Sequence, residues 1–232
     1  MILLRKIFAI GDLHFSGGQN KPMDIFGNHW DNHKERIIDN WKKIISKDDL
    51  VLIPGDISWA MYLKEALSDL ELISSLPGEK ILLRGNHDYW WEKITYLNSL
   101  YDNMHFLQNN SFCYDKFSIC GSRGWLVPGS VNFTQEDEKI YKREVIRLNL
   151  SLKESPKNKE IIVIMHYPPF NEQYQENEFT NLINNYNVKQ VVYGHLHDEY
   201  SFERYFQGEA EGVFYKLVSS DYLKFKPMEI KL

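Results

Sequence analysis

Five short apolar runs in this chain each end in a cluster of glycine and ionisable residues. Lys6–Ile10 runs into Gly11-Asp12-Leu13-His14, Leu50–Ile53 into Pro54-Gly55-Asp56, and Ile81–Leu83 into Arg84-Gly85-Asn86-His87-Asp88. Ile161–Met165 leads to His166-Tyr167-Pro168-Pro169, and Val191–Tyr193 to Gly194-His195-Leu196-His197. Continuous apolar runs of this length read as strands buried on both faces. Between them lie helical patterns: Asp31–Ser46, Tyr62–Ser74 and Thr134–Leu152, the last opened by Thr134 three residues before Asp137, a cap signal. Strand–helix alternation implies a layered α/β fold. Phe106–Gly121 reads as short strands around an Asp115-Lys116 turn, and Tyr200–Leu232 as strands, clearest at Val213–Val218 and Phe225–Ile230. Two sheets flanked by helices follow. In open α/β sheets ligand sites gather at the carboxyl ends of strands, where all five clusters fall.

Five of the eight histidines (His14, His87, His166, His195 and His197) belong to these clusters. One histidine after a strand is ordinarily structural; five at one rim call for a common explanation. Asp12 and His14 are two apart, as are His195 and His197, so on extended backbone each pair points to one side. Asp12, His14, Asp56, Asn86, His166, His195 and His197 make seven nitrogen or oxygen donors. One zinc takes about four ligands; seven suit two ions sharing a carboxylate. The absence of sulfur points to Mn, Fe or Zn, with Co and Ni also compatible. Only Asp12 and Asp56 carry negative charge, so two divalent ions leave a net positive centre that attracts an anionic ester, phosphate above all.

Composition narrows the function classes. Hydrophobic residues are 43% and charged residues 25% of 232, ordinary for a globular chain that is read here as one domain over residues 1–232. A net charge of -5 and the lack of a Lys/Arg stripe argue against a stable nucleic-acid complex. Cys113 and Cys120 are too few for a disulfide scaffold and read as two small buried hydrophobes on a hairpin. MILLRKIFAI is broken by Arg5 and Lys6 and leads straight into Asp12, so no signal segment is expected, no apolar run spans a bilayer, and the cytoplasm is the default location. The richness in Ile, Lys and Asn fits an AT-rich bacterial genome. The expected state is a monomer or small homo-oligomer.

The ordered series Asp12-x-His14, Gly55-Asp56, Gly85-Asn86-His87-Asp88, His166, Gly194-His195-x-His197 resembles the calcineurin-like metallophosphoesterases, and in particular a small bacterial branch of predicted phosphohydrolases. The resemblance implies a four-layer αββα sandwich of two mixed sheets, with a dinuclear centre at the strand ends. It implies that Asp12, His14, Asp56 and His197 hold one divalent ion and Asp56, Asn86, His166 and His195 the other, Asp56 bridging. His87 would be no ligand but would act as general acid toward the leaving group, or stabilise its charge, with Asp88 orienting it. A water bridging two such ions has its pKa lowered toward ~7 and would attack phosphorus in line. One departure concerns substrate: many family phosphatases carry a further acidic residue shortly after Gly-Asp, whereas here the run is Gly55-Asp56-Ile57-Ser58-Trp59-Ala60.

The expected substrate is a small phosphomonoester or phosphodiester, nucleotide-like esters included. A nuclease with the same chemistry is the alternative, and a non-catalytic scaffold is disfavoured because no motif residue is missing. Trp30, Trp59, Tyr89, Trp90, Trp91, Trp125 and Tyr167 crowd the motifs; most are expected in the core, though stacking on a base or sugar is open. The long loop Phe15–Trp30, with Gly17, Gly18 and Gly27, is a candidate lid, and its His29, with His33 beyond, is expected to be solvated. Arg123 could clamp a phosphate, as could Arg84, although an Arg beside a strand end is as often a structural ion pair.

Overall fold

The computed structural model describes residues 5–17, 21 and 23–231; residues 1–4, 18–20, 22 and 232, on which parts of the sequence reading fall, part of the Phe15–Trp30 loop among them, lie outside the described residues. Its strands are β1 (Ile7–Ala9), β2 (Leu50–Ile53), β3 (Glu79–Leu83), β4 (Met104–Leu107), β5 (Phe112–Tyr114), β6 (Phe117–Ser122), β7 (Glu160–Met165), β8 (Val188–Tyr193), β9 (Gly208–Ala210), β10 (Val213–Leu217) and β11 (Met228–Glu229). The helices are α1 (His33–Ile44), α2 (Leu63–Ser75), α3 (Ile94–Leu97), α4 (Gln135–Lys153), α5 (Glu178–Asn184) and α6 (Glu199–Arg204). They form a five-stranded sheet, β11-β1-β2-β3-β4, and a six-stranded sheet, β5-β6-β7-β8-β10-β9. The central strands are parallel, as is the β4 edge beside β3, while the other edges are antiparallel: β11 beside β1, β5 beside β6, β9 beside β10.

Alternation along the strands explains the layering. Phe8, Val51, Ile53 and Leu82 face a cluster with Ile37, Trp41, Ala66 and Leu70 of α1 and α2. Their neighbours Ile7, Leu50, Leu52 and Ile81 face Ile119, Ile162, Ile164 and Val192 of the second sheet. The opposite side of that sheet, with Ile161, Val163 and Val191, packs on Tyr141, Leu148, Phe179 and Ile183 of α4 and α5. Every central strand is thus apolar on both faces, which is why its sequence shows no alternation of polarity. The result is helices, sheet, sheet, helices, the expected four layers. Among the described residues no helix is long and apolar enough to cross a membrane.

Helix boundaries follow the capping chemistry. Thr134 accepts the Asp137 N–H, and the Asp137 carboxylate accepts from the Thr134 N–H, closing a reciprocal cap at the head of α4. Three expectations need correction. Phe106 and Leu107 belong to β4 of the first sheet, so only β5 and β6 flank the Asp115-Lys116 turn, and the chain changes sheets just before Phe112. The segment after Tyr200 is not all strand: α6 is started by Asp198, whose carboxylate accepts the Ser201 N–H. In Phe225–Ile230 only Met228–Glu229 is strand, because Lys224 and Phe225 take left-handed backbone (φ 53° and 63°). Of the two cysteines Cys120 is buried, but Cys113, on the edge strand β5, is exposed, so the expected burial holds for only one of them.

Candidate metal centre

The turns after β1 and β2 are laced together by their backbones. Asp12 N–H donates to Gly55 O (2.9 Å), His14 N–H to Asp56 O (3.0 Å) and Phe15 N–H to Ile57 O (3.0 Å). This lacing requires left-handed backbone at non-glycine residues: φ is 54° at Asp12, 46° at His14 and 50° at Asp56, and 74° at His195 in the turn after β8. Such conformations cost about 1–3 kcal/mol each and concentrate at functional sites. Glycine appears where these side chains need room. A Cβ on Gly85 would lie 2.1 Å from Asp56 Oδ1, and one on Gly194 2.3 Å from Asp12 Oδ2.

The seven predicted donors converge. His14 Nε2 and His197 Nε2 are 3.2 Å apart, and His197 Nε2 is 3.6 Å from Asp12 Oδ1. On the other side Asn86 Oδ1 lies 2.6 Å from His166 Nε2 and 3.0 Å from His195 Nδ1. Asp56 Oδ2 stands between, 3.8 Å from His14 Nε2 and 3.5 Å from His166 Nε2. By spacing alone, Asp12 with His14 and His197, and Asp12 with Asp56 and His166, could each hold a cation. Asp12 is shared by both sets, and both its carboxylate oxygens also accept the His195 N–H, while Asp56 Oδ2 faces a ring nitrogen of His14 and one of His166.

The ring tautomers show that the site fits cations. His166 Nδ1–H donates to Pro54 O (3.0 Å), which leaves a lone pair on Nε2 facing Asn86 Oδ1. His197 Nδ1–H donates to Asp221 Oδ1 (3.1 Å), which turns Nε2 toward His14 and Asp12. Burial, then the neighbouring histidines, push His14 and His195 well below the usual range, and burial pushes His166 down to about 3. These rings are therefore neutral donors. Burial, then the charges of Asp88 and Asp12, hold Asp56 well above the carboxylate range. Burial would also lower His197, but its bonds with Asp12 and Asp221 prevail and raise it to about 10. Nitrogen and oxygen donors crowded together beside buried carboxylates are what divalent ions reconcile.

The cluster floors a cavity of about 460 Å³ lined by His14, Asp56, His87, His195 and His197 on one side and by Met23, Phe26, His29, Trp30 and Trp59 on the other, with Asp198 at its edge. The half-buried His87 ring makes no side-chain hydrogen bond among the described residues and packs 4.5 Å from the Trp59 ring. Burial, then His197, lowers its pKa.

Comparison with known proteins agrees with this geometry. The model of the calcineurin-like phosphoesterases matches residues 5–199. The chain belongs to this family. Membership makes it a metal-dependent phosphoesterase in general terms. It is 27% identical over 157 residues to an uncharacterized protein of Methanocaldococcus jannaschii, covering 64% of this chain and 84% of that one. It is 37% identical over 79 residues to the gene 66 protein of Mycobacterium phage L5, covering 33% of this chain and 37% of that one. Among solved structures, the phosphopantetheinyl hydrolase of Mycobacterium tuberculosis superposes with a TM-score of 0.61 at 16% identity, and a protein of unknown function from Aquifex aeolicus with 0.52 at 16%, each over 97% of this chain and 95% of the other. At this identity they speak to the fold alone.

Three sequence expectations for this phosphoesterase are met differently in the structure. Asp88 does not contact the His87 ring. Its fully buried carboxylate accepts from the N–H groups of Ile57 (2.9 Å), Ser58 (3.2 Å) and Gly85 (2.7 Å) and from Trp90 Nε1 (3.0 Å). It ties the Asp56 turn to the Asn86 turn. Arg123 does not line the cavity. Its guanidinium reaches buried Glu144 (3.4 Å) and lies over the Trp125 ring, in a separate small cleft shared with Arg84 and Arg147. His33, expected in solvent, is half-buried and its Nε2–H donates to His14 O (3.2 Å), while His29 is exposed at the cavity edge. Trp30, Trp90 and Trp91 are buried, as expected of most of the aromatics. The sequence reading missed Asp221, which fixes the His197 ring, and Ser220, whose hydroxyl donates to Asp12 O (2.7 Å). Neither sits in a motif; both lie in the turn after β10, beside the isolated bridge that pairs Gly11 with Ser219.

Proposed function

We propose that this phosphoesterase holds two divalent ions, Mn, Fe or Zn, and hydrolyses a small phosphomonoester or phosphodiester. Asp12, His14, Asp56 and His197 would hold one ion, and Asp56, Asn86, His166 and His195 the other. The observation that carries the reading is the position of Asp56 Oδ2, within 3.8 Å of His14 Nε2 and 3.5 Å of His166 Nε2, between the two groups of donors. When bound, two such ions supply Lewis acidity and bring the pKa of a water to near neutrality. The chain does the rest. Pro54 O and Asp221 fix the tautomers of His166 and His197. The Asp56 carboxylate accepts the His87 N–H (2.9 Å), which sets the His87 backbone against the centre and its ring on the cavity wall. From there His87 donates a proton to the leaving oxygen. Trp59, stacked on the His14 ring (centroids 4.8 Å, planes 22°), keeps bulk water from that flank.

The test is a metal-by-substrate series on purified protein, with elemental analysis alongside turnover of an aryl phosphate, a bis-aryl phosphate and single-stranded DNA. Two ions per chain with metal-dependent release of the aryl alcohol are expected. One ion at saturation, or turnover of DNA alone, would overturn the dinuclear small-ester reading.

A further inference from the structure

The cavity has two chemically distinct walls, and only one is used by the reaction proposed above. The other wall is Met23, Phe26, Trp30 and Trp59. Apart from His87 and the residues assigned to the metals, the polar lining among the described residues is His29 and Asp198. Asp198 is already engaged: Oδ1 accepts the Ser201 N–H (2.9 Å) and Oδ2 the Ser201 hydroxyl (2.9 Å). A sugar, glycerol or inositol ester entering this space would strip its hydroxyls of water and find almost no partners, each unpaired group costing severalfold or more in affinity.

The apolar wall is also rigid where it meets the chemistry. Trp59 is held on one side by the His14 ring and at its Nε1 by Met23 Sδ (3.1 Å), and its ring lies 4.5 Å from His87. Whatever is bonded to the leaving oxygen beside His87 is therefore delivered against Trp59. Phe26, by contrast, is 59% exposed and stacks on no ring among the described residues, although it lines the same cavity. An exposed aromatic and a fixed indole lining one cavity are matched by a flat apolar guest. The volume of about 460 Å³ is that of a small-molecule site.

We infer that the leaving group is an aromatic alcohol, aryl or arylmethyl, seated against the wall that Phe26 and Trp59 share, and that Met23 and Phe26 determine specificity by rejecting polyol esters. The inference rests on the phosphoesterase reading above. It is tested with the Mn-loaded full chain by calorimetric titration of benzylphosphonate and 2,3-dihydroxypropylphosphonate, beside turnover of benzyl phosphate and glycerol phosphate. Benzylphosphonate is expected to bind at least about tenfold more tightly, the equivalent of about 1.4 kcal/mol. Phe26→Ser should remove most of that preference while leaving binding of the dihydroxypropyl compound unchanged, and Phe26→Tyr should restore it. Equal binding of the two phosphonates, or equal weakening of both in Phe26→Ser, would overturn the assignment. A benzyl preference without turnover of either ester would support the pocket and overturn hydrolysis instead.

Discussion

Replacing Asp88 by Asn separates two ways in which this residue could serve the site. Asp88 Oδ1 accepts from Ile57, Ser58 and Trp90 Nε1, and Oδ2 accepts from Gly85 at 2.7 Å. An Asn that places its carbonyl at the first position keeps three donors but turns an NH2 toward the Gly85 N–H. The other rotamer is worse, with three donors facing an NH2. The better case loses one bond to a charged acceptor, about 1.5–3 kcal/mol, and strands a buried N–H for about 1–3 kcal/mol more. Burial holds the Asp88 carboxyl above its usual range, so removing the charge returns part of this. A net loss of about 3 kcal/mol lowers the melting temperature by about 6–12 °C for a chain of this size. The assay is thermal unfolding followed by circular dichroism at pH 7 with a chelator present, so that metal does not enter the comparison. Because Asp88 ties the Asp56 and Asn86 turns together, its loss should also reduce turnover by a factor that multiplies with that of His87→Ala. If Asp88→Asn melts within about 2 °C of the parent, or costs activity only when His87 is present, Asp88 acts through the His87 ring after all.

Three other outcomes are expected. His87→Ala should keep its metal content by elemental analysis but lose about a hundred- to ten-thousandfold in rate, most for esters with poor leaving groups; unchanged turnover of such an ester would remove His87 from the chemistry. Asp221→Asn, which takes the carboxylate from His197 Nδ1, should weaken metal binding about 10–100-fold in a Mn titration, and undiminished affinity would deny it that role. Lys80 is buried, with its ammonium on the Ser74 and Leu76 carbonyls, and burial lowers its pKa from 10.5 to about 8. Between those values the unfolded chain carries a proton that the folded chain lacks, so stability rises with pH across that window. Denaturant unfolding at pH 7 to 10 should show the parent gaining on Lys80→Met above pH 8, and a constant difference would contradict the burial effect.

Much of the fold was legible because the sheets are buried on both sides. Such strands appear as unbroken apolar runs, and Leu50–Ile53 coincides with β2 residue for residue. The donors were legible because each follows such a run. What could not be read was anything set by side-chain direction or by distant contact. Asp88 follows His87 in the chain, and adjacency suggested a pair, yet neighbours on extended backbone point to opposite sides. Here one lines the cavity and the other is buried behind it. Arg123 ends β6 as expected, but the buried Glu144 of α4 claims it, and no local pattern announces an acidic residue on a helix 21 positions away. Asp221 lies outside every motif and reaches His197 only because β10 runs parallel to β8 and ends beside it. The left-handed backbone at Asp12, His14, Asp56 and His195 is likewise invisible in a residue string, since none of them is glycine.

The two sheets are unequal in the order in which a ribosome would deliver them. β1 to β4 occupy residues 7 to 107, but the edge of that sheet next to β1 is closed by β11 at Met228–Glu229, where Ile230 N–H also reaches Ile7 O. Asp12, His14, Asp56 and Asn86 come from the early part of the chain; His166, His195 and His197 come from the late part. During synthesis the first sheet therefore waits with one edge open and half a donor set in place while more than a hundred residues follow. Chains fold from the N-terminus as they emerge, so the proposed seven-donor set is complete only once the late segment has been made. Truncation before Asp221 would leave every donor present and the partner of His197 missing.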